Sequence, residues 1–374
     1  MEGTVEANQD ANLGTAPGAP VLSPEAAAGE ARSPSGKRLG RRGALGVPRT
    51  AALAFAGLAA ALAVLGICYH LIISRADALR FPQEGKSVNV GGFNLNLNCT
   101  GQGSPTVILE AGLGVPAISW RAVQSGITGF TRVCSYDRAG YDWSDPGPMP
   151  RTSARSAAEL HTLLRNSGEK PPFVLVGHSF GGTNVRVYNG LFPDDVAGIV
   201  LADTGQEDLE FPDYFQQLRS NELEQRRRDR RWATLQYWLG ISRFEAAQQI
   251  DDPALPYNRQ EWFYLLIQPG FIAAAASELE NREASTEQLR RSGTLGDKPL
   301  IVLIARDSLL DLPLPPDNKY ALNQMWVESE KWLTDLSSRG KWVMVLGTGH
   351  MIPFDRPDAI VDAVRELSAE ARKR

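Results

Sequence analysis

The sequence predicts an α/β protein: a mostly parallel central sheet with helices on both faces and a helical insertion after the sixth strand, preceded by one transmembrane helix. Three observations predict it. Short, near-continuous apolar runs alternate with helical stretches, the pattern of strands buried on both faces. Residues 204–296 hold amphipathic helical stretches and no strand-like run. From Thr50 to Ser74 no side chain is charged.

Residues 1–49 are rich in Ala, Gly, Pro and Ser, with prolines at 17, 20, 24, 34 and 48. Such a segment buries too little apolar surface to offset its chain entropy, so disorder is expected. Residues 50–74 read as a transmembrane helix, because about 20 apolar residues cover the ~30 Å hydrocarbon layer and no polar face interrupts them. A cleaved signal peptide is the alternative, with Ala76-Asp77-Ala78 as a small-residue cleavage site. The apolar stretch exceeds the usual 7–15 residues and follows a long leader, which favours an uncleaved signal anchor. Lys37, Arg38, Arg41, Arg42 and Arg49 precede the span. That excess predicts a cytoplasmic N-terminus, with everything after Arg75 on the extracytoplasmic side.

Beyond the span, Val88–Val90 and Phe93–Leu97 flank Gly91-Gly92 and predict an edge hairpin. Strands are then expected at 106–109, 132–136, 173–176, 198–202, 300–304 and 342–346, with a helix over 154–166. The core so defined covers 85–203 and 297–374. Lys+Arg number 39 against 43 Asp+Glu, a net charge of −4 that offers no footprint for nucleic acid. Cysteines at 68, 99 and 134 form neither a zinc pattern nor a disulfide framework. The four histidines are too scattered for a metal cluster, and no metal or organic cofactor is implied.

Phe173–Gly182 reads FVLVGHSFGG, and its Gly-x-Ser-x-Gly spacing fits a sharp strand-to-helix turn. Small residues on either side let strand and helix approach, lifting Ser179 Oγ clear of the sheet at a helix N-terminus. Ser179 is therefore the candidate nucleophile. Its base follows by elimination. His70 lies in the span, His161 in a polar helical stretch, and His178 neighbours the serine, so its side chain should point away from Oγ. His350, in GTGHMIPFD after the last apolar strand, lies where parallel sheets carry their sites.

With Tyr136–Asp145 (YDRAGYDWSD) added to these motifs, the chain from about 85 to 370 resembles the α/β-hydrolase superfamily, in its serine-nucleophile form with a helical cap. Asp142 stands where that family's motif commonly has glycine, and Asp137 and Arg138 read as loop-fixing residues. The resemblance implies an oxyanion hole from the backbone N–H groups of Phe180 and of Leu113, in the loop Glu110–Gly114. It also implies a triad acid after the seventh strand or at the end of the sixth. Asp203, at the end of the sixth, is favoured over Asp307, since Ser308 occupies the commoner slot. The insertion would be the cap, its clusters Phe211/Tyr214/Phe215, Trp232/Tyr237/Trp238 and Trp262/Phe263/Tyr264 forming pocket lining or the cap's own core. Arg226–Arg231 reads as a solvated helix face or a contact to anionic lipid. The family's sheet order makes the strands of Cys99 and Cys134 neighbours, which leaves a disulfide or two buried thiols.

The expected function is hydrolysis of an ester, lactone, thioester or amide through an acyl-enzyme on Ser179, with a small-molecule or lipid-like acyl substrate. Serine at the nucleophile position disfavours epoxide hydrolysis and dehalogenation, for which similar proteins use aspartate. An acyltransferase using the same acyl-enzyme and a non-catalytic ligand-binding protein on this fold are the alternatives.

Overall fold

The computed structural model describes residues 49–205, 209–249 and 258–373. The segment expected to be disordered therefore lies, but for Arg49, outside the described residues. The chain begins in a long helix, α1 (Arg49–Arg80), that extends beyond the uncharged stretch. It is long and apolar enough to cross a membrane by length and composition, and its most apolar stretch is not buried.

The hairpin follows as β1 (Lys86–Asn89) and β2 (Asn94–Thr100), then β3 (Thr106–Glu110), α2 (Arg121–Thr128), β4 (Val133–Tyr136), α3 (Ser153–Ser167), β5 (Phe173–His178), α4 (Phe180–Leu191) and β6 (Val196–Ala202). The insertion contributes helices only among its described residues: α5 (Asp213–Trp238), α6 (Ile241–Ala247), α7 (Arg259–Leu266), α8 (Pro269–Glu280) and α9 (Arg282–Arg291). The chain returns to the sheet with β7 (Leu300–Ala305), α10 (Pro316–Trp332), β8 (Gly340–Val345), α11 (Ile352–Asp355) and α12 (Pro357–Ala371).

The eight strands lie in the order β1-β2-β4-β3-β5-β6-β7-β8. β2 runs antiparallel to both its neighbours, β1 and β4; from β4 to β8 every pairing is parallel. Side chains alternate between the faces as strand geometry requires. Ile108, Leu175, Ile199 and Val302 pack with residues of α3 and α4, and Val107, Leu109, Val176 and Val200 with residues of α2 and α12. The order reverses between β3 and β5, which opens a crevice at their C-terminal ends. Two units divide the chain, Met1–Leu53 and Ala54–Arg374, and the sheet belongs to the second.

Cys99 and Cys134 are direct partners in the β2–β4 register, and a disulfide joins them. The thiols left open by sequence are thus one crosslink closing 35 residues. A loop of that length contributes about 4 kcal/mol by restricting the unfolded chain. Reduction is expected to lower the thermal midpoint by about 6 °C, read by circular dichroism with and without a phosphine reductant; an unchanged midpoint would count against a stabilising bond.

Candidate active site

Ser179 sits between β5 and α4 at φ 53°, ψ −123°, a region that costs roughly 1–3 kcal/mol and persists only when neighbours enforce it. Three glycines do so. A Cβ on Gly177 would lie 2.6 Å from the Gly181 oxygen, one on Gly181 2.3 Å from the Glu110 oxygen, and one on Gly182 2.2 Å from Thr204 Oγ1. Strand and helix meet more closely than any side chain allows, and the turn is secured by Ser179 N–H on the Ala202 oxygen (3.0 Å).

His350, in the loop after β8, places Nε2 2.9 Å from Ser179 Oγ. Its Nδ1 lies 2.5 Å from Asp203 Oδ2 at the end of β6. An ionised carboxylate only accepts, so Nδ1 carries the proton and, in the neutral ring, Nε2 accepts from the Ser179 hydroxyl. Asp203 is fully buried. Burial by itself raises its carboxyl, but the hydrogen bond and charge of His350, with Ser308 and Glu330, outweigh this and hold it below the ordinary range. Ser308 donates to Asp203 Oδ2, while Ala305 N–H and Trp326 Nε1 donate to Oδ1 at 3.2 and 3.3 Å. Asp307 is not part of this group: it is partly exposed beside Arg306. Of the two candidate acids, the structure brings only Asp203 to His350.

Two residues outside the expected catalytic set support the arrangement. Glu330 on α10 is buried beside Asp203, and burial first, then the Asp203 charge, push its carboxyl well above the usual range. His178 directs its ring away from Ser179, and Nε2–H donates to the His350 backbone oxygen (2.8 Å). Burial, then the neighbouring His350, lowers His178 to about 3, so its ring is uncharged near neutrality. The orientation of His178 away from Ser179 was expected from its place beside the serine, but neither residue's partner carries a sequence signal, because each lies more than a hundred positions away.

The loop after β3 lies against the serine: a Cβ on Gly112 would be 3.3 Å from Ser179 Cβ. Arg138 holds this loop by its carbonyls, with Nη1 on the Ala111 oxygen (2.7 Å) and Nη2 on the Gly112 oxygen (2.9 Å). The peptide between Gly112 and Leu113 is planar and trans, so fixing its carbonyl turns the Leu113 N–H to the opposite side. Arg138 is buried between Glu110, at 3.0 Å, and Glu278 of α8, at 2.7 Å. Burial would lower its pKa; Glu278, Tyr141 and Glu110 together raise it well above its usual value. Tyr141 completes the group, donating to Glu278 (2.6 Å) and accepting from Gly114 N–H (3.1 Å). Replacing Glu278 by glutamine would leave the guanidinium half-compensated, a defect worth about 3–5 kcal/mol when a buried pair is broken. Urea denaturation of Glu278→Gln beside the parent protein checks this, and a change below about 1 kcal/mol would contradict it.

Comparison with known proteins bears on this arrangement. The model of the alpha/beta hydrolase family matches residues 107–363. The chain belongs to that family. Among curated relatives of this hydrolase, an AB hydrolase superfamily protein of Gibberella zeae is 25% identical over 287 residues, covering 70% of the chain and 86% of that protein. The probable transporter efuK of Hormonema carpetanum is 26% identical over 294 residues, 70% of this chain; the chain spans only 39% of that relative's length. Among solved structures, a thermophilic esterase from Thermogutta terrifontis superposes with a TM-score of 0.54 at 22% identity, over 76% of the chain and 98% of the esterase; the likeness is one of fold.

In this alpha/beta hydrolase a cavity of about 580 Å³ opens onto Ser179 and His350. Phe211 and Phe215 line it, with Arg219 of α5 and Trp326 of α10. Of the three aromatic clusters expected in the insertion, the first supplies lining. Trp262 of the third meets Phe354, itself part of the lining, at 5.4 Å between rings. Trp232, Tyr237 and Trp238 lie elsewhere.

Proposed function

We propose that this alpha/beta hydrolase is a serine hydrolase acting through an acyl-enzyme on Ser179. The observation that carries the reading is the continuous relay from Ser179 Oγ through both His350 nitrogens to Asp203, at 2.9 and 2.5 Å. Ser179 Oγ attacks the carbonyl carbon of an ester, lactone, thioester or amide while His350 Nε2 takes the hydroxyl proton. Asp203 holds the Nδ1 proton in place and stabilises the imidazolium without itself becoming protonated. The carbonyl oxygen, now negative, is held by the N–H groups of Leu113 and Phe180, and electrostatic stabilisation of this kind is commonly the largest contribution to rate. The tetrahedral species collapses as His350 returns the proton to the leaving group. Water, deprotonated by the same nitrogen, then releases the acid and restores Ser179.

Helices α5–α9 would serve as a cap over this cavity, and the aromatic lining suits an acyl chain of small-molecule or lipid-like character. α1 would act as an uncleaved anchor with the catalytic domain on the extracytoplasmic side, a placement that the disulfide supports, since such bonds persist in oxidising compartments. A fluorophosphonate probe applied to the full chain is the test. Stoichiometric labelling located by mass spectrometry at Ser179 is expected, followed by turnover of p-nitrophenyl esters with free acid as product. A folded protein that neither labels nor turns over would overturn the reading.

A further inference from the structure

The insertion carries an apolar surface that the cavity does not use. Trp232, Leu235, Trp238, Ile241 and Phe244, on the end of α5 and on α6, are all between 42% and 61% exposed. At 100° per residue, positions 232, 235 and 238 fall on one side of α5, opposite buried Ala233. Side chains of this size side by side in water mark an interaction surface.

Its position along α1 identifies the partner. A Cβ on Gly66 would lie 2.3 Å from the Leu239 oxygen, and one on Gly240 2.8 Å from Tyr69 Cδ1. The His70 ring packs 4.4 Å from Tyr237 and 5.0 Å from Trp238. Farther along α1, Asp77 pairs with Arg243 and Phe81 meets Tyr264 at 5.7 Å. A hydrocarbon layer takes about 20 residues of helix. Wherever those twenty fall within Thr50–Ser74, Gly66 lies inside the layer, and the α5–α6 turn beside it lies at the same depth. The charged pair Asp77–Arg243 then falls just outside, at headgroup level.

We propose that the α5–α6 face is embedded in the leaflet that α1 leaves, so that the catalytic domain rests on the bilayer through its insertion as well as through its anchor. The proposal rests on reading α1 as a membrane span. Tryptophans at 232 and 238 suit the boundary, where an amphipathic ring has one side in hydrocarbon and the other near water. Charge agrees. Arg226 pairs with Glu222, and Arg227 and Arg230 pair with Glu280. Arg228 and Arg231 are exposed, share the outward side by the same angular count, and have no carboxylate partner among the described residues. They are placed to meet anionic headgroups beside the apolar patch.

α1 contains no tryptophan, and the chain has eight elsewhere, which makes a clean test possible. The full chain is reconstituted into vesicles of phosphatidylcholine and phosphatidylglycerol, with or without bromine on the acyl chains near the glycerol. Flotation of the same vesicles reports anchoring separately. The expected result is flotation together with bromine quenching of tryptophan emission, the quenching lost in the Trp232→Phe/Trp238→Phe protein, which keeps both rings apolar. Flotation without quenching, or quenching unchanged in the double variant, would overturn the embedded face while leaving the anchor standing. Failure to float would overturn the anchor and the proposal with it.

Discussion

Alanine at position 179 is expected to lower ester turnover by on the order of 10⁴- to 10⁶-fold, the range found when a serine nucleophile acting with its base is removed. The chemistry leaves no substitute. Ser179 Oγ is the atom that His350 Nε2 meets at 2.9 Å, and the neighbouring Ser308 hydroxyl is committed to Asp203. Without the oxygen, the oxyanion donors and cavity remain and support only the residual rate that positioning and charge provide. Folding should change little, because the strained backbone at 179 is imposed by Gly177, Gly181 and Gly182 and not by the hydroxyl. Fluorophosphonate labelling and p-nitrophenyl ester turnover should vanish together while the thermal midpoint holds. Labelling that persists in Ser179→Ala would place the nucleophile elsewhere.

The second large effect separates two carboxylates. Asp203→Asn is expected to reduce kcat by about 10⁴-fold, since an amide in that place stabilises the wrong imidazole tautomer and no developing charge. Asp307→Asn should change kcat by less than about threefold, because that side chain is partly exposed beside Arg306. Steady-state kinetics on both variants decides the matter, and equal losses would refute the assignment. Ser308 offers a further arm. Its Oγ is 3.5 Å from His350 Nδ1, so a carboxylate there reaches the ring. Ser308→Asp added to Asp203→Asn is expected to recover at least about tenfold of the lost rate, whereas a purely structural defect at 203 would not be rescued.

How far the sequence could be read follows from the range of each interaction. The elbow is encoded within ten consecutive residues, so its place in the chain and the turn it forms were legible. Strand and helix order was legible for the same reason, in runs such as Thr106–Leu109 and Phe173–Val176 that the structure makes strands. The acid was legible only as a preference for Asp203 over Asp307, because the ends of β6 and β7 converge on one imidazole and their three-dimensional register decides which carboxylate reaches it. Cys99 and Cys134 posed a similar problem, resolved by the residue-by-residue pairing of β2 with β4. Glu278 was invisible: it meets Arg138 from 140 positions away, and a single glutamate in an amphipathic helix looks solvated until its partner is known.

That Arg138–Glu278 pair makes the insertion an exchangeable part with an obligatory pin. Grafting another protein's helices between β6 and β7 would alter the cavity lining as intended, yet it would also strip a counter-charge from the guanidinium that grips the Ala111 and Gly112 carbonyls. A chimera would then lose rate for reasons unrelated to substrate fit. Selectivity can be redrawn on Phe211, Phe215 and their neighbours, provided that the replacement segment still delivers a carboxylate to the place Glu278 occupies.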